Sequence, residues 1–376
     1  MQAMAGDTTD FAVIGGGVVG SAIAYGLAKR GARVIVLDEG DVALRASRVN
    51  FGLVWLHSKG DGMPEYGFWT RRSADLWPAF AEELAEATGT DTQYRKSGGL
   101  SYCLGEQEYE ARKGMIARMR GQAGEDPYET RMLDRMEVRE LLPRMTLGPD
   151  VTGASYGPHD GHVSPLRLLQ SLHAGMRRHG ADYRPDTPAR TVHKVPGGFV
   201  IETPRGPLSA GRVVLAAGHG ITGLMRPLGF DVAIQAQRGQ QLVTERFAPM
   251  LPIPANGIRQ TGDGTFLIGT TKEDTGFDVS TTAEAGATMA ARVVRVFPAL
   301  AQARIVRAWA GIRTLTADEA PVYEESASCP GAYLATCHSG VTLAAVHAVE
   351  LAGAIHDATV AEKLAAFHSR RFRASG

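Results

Sequence analysis

Phe11-Ala12-Val13-Ile14-Gly15-Gly16-Gly17-Val18-Val19-Gly20 is the stretch on which the fold turns, and Asp38 closes the unit it begins. Four apolar residues predict a buried strand that runs into Gly15-x-Gly17-x-x-Gly20. A helix follows, with Val19, Ile23 and Leu27 at four-residue spacing and Gly31 as its stop. Val34 to Leu37 predict a second strand ending on Asp38. In such a unit the first glycine permits the turn, the second lets a pyrophosphate approach the backbone, and the third lets helix and strand pack closely. The helix N-terminus offers free N–H groups and a positive dipole end to the phosphates. Asp38 suits a ribose diol and would repel a 2′-phosphate. A glycine triplet alone is a weak signal; strand, helix, second strand and acid in register make it a strong one.

The totals narrow the class. The chain has 376 residues, enough for about two domains. Lys+Arg and Asp+Glu number 40 each, so no charge excess points to nucleic acid or an anionic membrane. Cys103, Cys329 and Cys337 are odd in number and show no CxxC spacing, which argues against a disulfide framework or a cluster held by this chain. A cytoplasmic setting fits this usage. The apolar start at Phe11 lacks the basic residues that would precede a signal-peptide core, and no segment is apolar for long enough to span a bilayer. His159 and His162 bracket Asp160, but no metal site is expected there.

Strand-turn-helix logic recurs in two further places. Arg212 to Gly218 reads as a buried strand entering a glycine turn, and Ala332 to Gly340 as a strand and short turn before a helix from Val341 to about His356. A helix is predicted from about Tyr66 to Thr88, with Trp69, Leu76, Trp77 and Phe80 on its apolar side. Another follows Ser164-Pro165, with Ser164 as its expected N-cap. Charged helical segments near 106–121 and 134–142 read as solvated faces. The expected architecture is α/β, α+β overall: a discontinuous Rossmann-like dinucleotide domain (1–48, 157–220 and 305–376) with an inserted mixed-sheet substrate domain (49–156 and 221–304).

Beyond the glycine turn, five motifs make the chain resemble the D-amino-acid oxidase superfamily of FAD enzymes. They are Arg238-Gly239-Gln240, Asp263 to Thr271, Gly311-Ile312-Arg313, Asp318-Glu319-Ala320-Pro321 and His338-Ser339-Gly340-Val341. Glu273 to Asp278 resembles in particular the β-type subunits of heteromeric dehydrogenases, the branch that includes D-hydroxyproline dehydrogenase, opine oxidase and hydrogen cyanide synthase.

The resemblance implies FAD. Gly15, Gly17 and Gly20 would hold its pyrophosphate and Asp38 its ribose. Arg45, Ala46 and Ser47 would supply a second phosphate segment, Ala189 a backbone group for adenine, and Gly218 a turn at the cofactor. Ser339, Gly340, Val341 and Thr342 would lie at the flavin ring, where a helix N-terminus favours the charge of the reduced form. Cys337 is the one residue to check for a covalent flavin link.

The implied chemistry is hydride transfer to flavin N5 from a C–H beside an amine nitrogen. Arg313 is the expected substrate-carboxylate anchor, because a guanidinium fork suits a carboxylate. His57 and His338 are expected near the flavin, with a core role as open for each as a substrate role. The chain departs from the superfamily by lacking a second arginine in the loop before the last helix, and by carrying Gly257 where a tyrosine is common. Arg259, two residues on, is the expected partial replacement. A larger pocket favours D-hydroxyproline, opines or similar N-substituted amino acids.

The expected setting is a hetero-oligomer with an electron-accepting subunit. It would carry a second redox group, an FMN or an iron–sulfur centre, at or beyond the subunit interface, with peripheral membrane association through partners. A standalone oxidase of glycine, sarcosine or D-amino acids that releases peroxide, and a non-catalytic flavin-bearing assembly subunit, are the alternatives.

Overall fold

A computed structural model describes residues 8–40, 46–124 and 128–372. Its first sheet is built around β1 (Thr8–Ile14), which pairs in parallel with β2 (Val34–Leu37) on one side and with Gly206–Leu215 on the other. Asp182–Arg184 extends the sheet beyond β2, and Ala332–Thr336 pairs in parallel with Gly206–Leu215. Val322–Glu325 closes that edge antiparallel, and a meander of Thr191–Val195 and Gly198–Thr203 folds back onto Gly206–Leu215. The run Phe11 to Ile14 is buried throughout, because helices cover one face of the sheet while the meander and the short helices over 218–228 cover the other.

α1 (Val18–Lys29) carries the close packing the sequence asks for. A Cβ at Gly26 would lie 1.9 Å from the Ala348 carbonyl oxygen, so α1 and the C-terminal helix meet backbone to backbone. That last helix starts later than the sequence suggests. A turn occupies 337–343, and the helical stretch runs from Ala344 to His356 with a π-helical segment at His347–Leu351.

The second sheet has Gln235–Arg246 as its spine. This strand pairs antiparallel with Ile305–Leu315 and with Thr265–Gly269, which in turn pairs with Ile258–Gln260. Backbone bonds from Leu100 N to Pro254 O (3.0 Å) and from Asn256 N to Leu100 O (2.9 Å) carry the sheet on into Gly99–Leu104. Val151–Gly157 and Arg131–Asp134 follow. The helix Ala283–Val296 packs on this sheet, and Tyr102, Leu242, Phe266, Ile268, Val293 and Phe297 share its core.

Sheet membership departs from the expected division at three points. Ile305–Leu315 is expected with the dinucleotide domain, yet it pairs along its length with Gln235–Arg246. The helix Pro64–Thr88 is expected with the insertion, yet Tyr66, Trp77, Phe80 and Leu84 bury themselves in the core of the first sheet. The residues over 221–228 also pack under the first sheet, through Ile221, Leu224, Met225 and Leu228. An apolar stripe states that a helix or strand is covered, not which sheet covers it. The helix after Ser164 forms with Pro165 in its first turn, but the Ser164 side chain makes no capping bond.

Candidate active site

The glycine turn forms as its sequence demands. Gly15 sits at φ +115°, and a Cβ there would lie 2.6 Å from the Ala216 carbonyl oxygen. A Cβ at Gly20 would lie 1.9 Å from the Gly15 oxygen, so no other residue lets α1 start so close to β1. Gly17 opens instead onto a cleft of about 380 Å³. The Ser47 hydroxyl reaches the same place and accepts from Val18 N at 2.9 Å, at the first turn of α1. Asp38 lies at the end of β2, 7% exposed, and accepts from Gly16 N (2.7 Å) and Gly40 N (3.0 Å). His173 donates through Nε2 to the Gly16 oxygen at 2.8 Å, a contact to the turn that sequence reasoning missed.

The cleft runs from Asp38, Ala46 and Ser47 past Gly218 to Cys337, His338, Gly340 and Val341. A glycine floor and a helix N-terminus offer the donors that a dinucleotide pyrophosphate requires, and the acid at the second strand is the acceptor a ribose diol requires, so the residues present fit FAD. Arg45 lies outside the described residues. Ala189 does not line the cleft; it packs beside the core of Ile14, Leu37 and Val192.

A second cavity of about 240 Å³ abuts the first and shares Ala46, Asn50, Ile312, Thr314, Cys337, His338 and Val341 with it. The turn 337–343 therefore stands between the two. Thr342 fixes that turn: its hydroxyl accepts from Trp55 N at 3.1 Å, and its carbonyl accepts from Ser73 Oγ (2.7 Å) and Trp77 Nε1 (2.8 Å). Ser339 Oγ lies 2.7 Å from Tyr66 Oη. Burial pushes the Cys337 thiol up to about 12, so it is protonated at neutral pH.

Arg313 lines this second cavity from the strand Ile305–Leu315. Its guanidinium is held by the chain. Nη1 donates to Gln237 Oε1 and to the Arg238 oxygen, both at 3.2 Å, while Nη2 donates to Thr270 Oγ1 and to the Thr271 oxygen (2.7 Å). A ligand carboxylate at Arg313 must displace or share these bonds. His338 stands at the turn, and burial together with the Lys59 and Arg313 charges holds its pKa well below the ordinary value. It is a neutral ring at physiological pH.

Two other expected site residues lie elsewhere. His57 is 1% exposed and bonds through Nδ1 to Asp160, which also accepts from Leu56 N. Its ring stacks behind Trp55 at 4.8 Å, and it is Trp55 that faces the cavity. Arg259 is 4% exposed, donates through Nε to the Phe51 oxygen and lies 3.4 Å from His162 Nδ1. Phe51 lines the cavity and Arg259 sits behind it. Gly257, which does line the cavity, adopts φ +101°, a conformation a tyrosine would strain to hold. His159 turns to Glu129, Asp160 to His57 and His162 to Arg259, so the His-Asp-His run points three ways. Lys59, Trp55, Asn256 and Gln241 complete the cavity, and none carried a sequence signal beyond its neighbourhood.

Residues 10–354 match the family model described as FAD dependent oxidoreductase. The chain belongs to that family. It is 39% identical over 365 residues to an opine oxidase subunit of Agrobacterium tumefaciens, covering 97% of this chain and 98% of the relative. It is 28% identical over 417 residues to the HcnC subunit of hydrogen cyanide synthase from Pseudomonas aeruginosa, covering 97% of each. The crystal structure of glycine oxidase from Geobacillus kaustophilus superposes with a TM-score of 0.87 at 28% identity, over 96% of this chain and 98% of the other. As a member of the FAD dependent oxidoreductases, the chain is an enzyme that uses FAD and acts on amino-acid-like CH–NH donors. Among the described residues no helix is long and apolar enough to cross a membrane.

Proposed function

We propose that the chain is the catalytic, β-type subunit of a heteromeric FAD-dependent dehydrogenase that oxidises the C–N bond of an N-substituted amino or imino acid. FAD, held along Gly15–Gly20, Asp38, Ser47 and the 337–342 turn, supplies the two-electron acceptor for conversion of the amine to an imine. The observation that carries the reading is the charge of the adjoining cavity: among its described lining residues are Lys59 and Arg313 and no Asp or Glu. Such a wall attracts a carboxylate and disfavours an ammonium. It therefore recruits an amino acid and holds its nitrogen in the neutral, oxidisable form without a dedicated base. Neutral His338 accepts or donates a hydrogen bond beside the reacting nitrogen but adds no charge. Trp55, Phe51 and Ile312 exclude water from the same space.

The role within a complex draws on relatives that are themselves named as subunits, one of opine oxidase and one of hydrogen cyanide synthase. A partner then takes the electrons through a second flavin or an iron–sulfur centre at or beyond the interface. The test is anaerobic titration of the FAD-loaded chain with D-, L- and N-substituted amino acids, cis-4-hydroxy-D-proline and opines. N-substituted amino acids bleach the flavin at 450 nm, and the reduced chain passes electrons to its partner faster than to oxygen. Bleaching by glycine alone with prompt peroxide release would replace the reading by that of a standalone oxidase.

A further inference from the structure

Within the proposed amine oxidation, on which this inference rests, one cation of the positive wall is not yet matched to a particular group of the substrate. Lys59 lies at the end of the segment Asn50–Lys59, and it borders both this cavity and a neighbouring chamber of about 280 Å³. Among the described residues its ammonium has no carboxylate within ion-pair distance. Its one close feature is the ring of Tyr66, with the ammonium 5.5 Å from the centroid.

The other cations around the site are tied down. Arg238 is paired with Glu273 (2.6 Å) and Asp278, Arg259 serves the Phe51 oxygen, and both terminal nitrogens of Arg313 already donate to the chain. Lys59 alone among them keeps three donors on a flexible stem, and its half-buried charge faces the Tyr66 ring and, among the described residues, no carboxylate within ion-pair distance. Leaving such a charge uncompensated beside a cavity is costly, and an anion that enters offsets the cost.

The placement of His338 adds a second observation. Burial first, and then the charges of Lys59, Arg313 and Lys272, keep this ring neutral. Lys59, Arg313 and His338 all line the same small cavity, and among its described lining residues there is no Asp or Glu.

We propose that Lys59 is the specificity-determining residue of the substrate cavity and holds a second anionic group of the substrate. The preferred substrate then carries two carboxylates on the carbons flanking one secondary amine. One carboxylate meets Arg313 and the other meets Lys59, and the amine lies between them beside His338. A cyclic monocarboxylate leaves Lys59 unpaired and binds more weakly.

The probes are thiodiacetate, a dicarboxylate with sulfur in place of the amine nitrogen, and its monoamide. Each is titrated into the FAD-loaded full chain and followed by the perturbation of the flavin absorbance. The wild type binds thiodiacetate at least about tenfold more tightly than the monoamide. In Lys59→Met that preference falls to about twofold or less, and Lys59→Arg restores most of it. A wild-type preference below about twofold, or one that survives in Lys59→Met, overturns the proposal.

Should Lys59→Met fail to fold or to retain flavin, the wild type still decides. The preference must shrink as salt is raised from about 0.05 to 0.5 M, and a salt-independent preference overturns the proposal as well. Anaerobic bleaching by N-substituted amino acids is measured in parallel on the wild type. Bleaching without a dicarboxylate preference removes the Lys59 assignment alone. A dicarboxylate preference without bleaching removes the oxidation and leaves the anion site standing.

Discussion

The two cavities that meet at the 337–342 turn are built on opposite principles. The cofactor cleft is lined largely by backbone and small residues: Gly15, Gly17, Ala46, Ser47, Ala216, Ala217, Gly218 and Gly340. Much of it comes from contiguous runs whose geometry is local. The proposed substrate cavity is lined by residues from six separated segments, including Phe51, Trp55, Lys59, Gln241, Asn256, Thr270, Arg313 and His338. Backbone donors hold a fixed, chemically constant ligand and tolerate little change. Convergent side chains leave room for substrate identity to vary while the fold stays the same.

The comparison breaks most severely at Gly20. In Gly20→Ala the new Cβ collides with the Gly15 carbonyl, backbone against backbone, and α1 must move off β1. A loss of about 3 kcal/mol or more is expected, read as failure to purify a yellow, cooperatively melting protein. Retention of stoichiometric flavin and a normal melt would show that the turn is not the rigid half of the site.

On the other side, Arg313→Met removes the proposed carboxylate anchor together with its bonds to Gln237, Thr270 and the Arg238 and Thr271 carbonyls, while the cofactor cleft keeps its own lining. We expect kcat/KM to fall about 10²-fold or more, chiefly through KM, measured by anaerobic stopped-flow reduction. Arg259→Met is the control, since Arg259 reaches the cavity only through Phe51. Its KM changes less than about threefold. Equal losses in the two variants would put Arg259 in the cavity wall.

A third effect concerns the packing behind that wall. Burial and the neighbouring Arg259 lower the His162 pKa from 6.5 to about 4. The folded chain thus refuses a proton that the unfolded chain accepts below pH 6.5. The stability held above that pH is lost as the pH falls toward 4. Each pH unit in this window costs up to about 1.4 kcal/mol for one such group. His162→Gln should therefore flatten the decline of Tm between pH 7 and pH 5, and an unchanged slope would count against a neutral His162.

The smallest change is at Ser47, whose hydroxyl satisfies Val18 N at the start of α1. Ser47→Ala should weaken FAD retention by about fivefold, near 1 kcal/mol, as seen by flavin release during dilution. No change would mean that the loop contributes shape alone.

The legibility of the sequence follows the same line. Phe11 to Gly20 and Asp38 could be placed from spacing because strand, turn and helix are decided by neighbours in the chain. Ala332 to Thr342 could be placed for the same reason, although the helix begins only at Ala344. Loop context and strand parity put His57 and Arg259 near the reacting centre. The structure puts one on Asp160 and the other on the Phe51 carbonyl, because each found a buried partner more than 100 residues away. Lys59 carried no signal, since a lysine in a glycine-rich loop looks the same whether it faces solvent or a cavity.

What the chain's own order determines is the FAD-binding half of the enzyme and its family: consecutive residues set backbone dihedrals, and those dihedrals make the turn. What only the tertiary structure decided is the charge and shape of the substrate cavity. Ile305–Leu315 brings Arg313 against Gln235–Arg246, and the 337–342 turn comes up beside the segment that ends on Lys59. These groups lie up to about 280 residues apart, and their meeting depends on how two sheets pack, a quantity no local pattern contains.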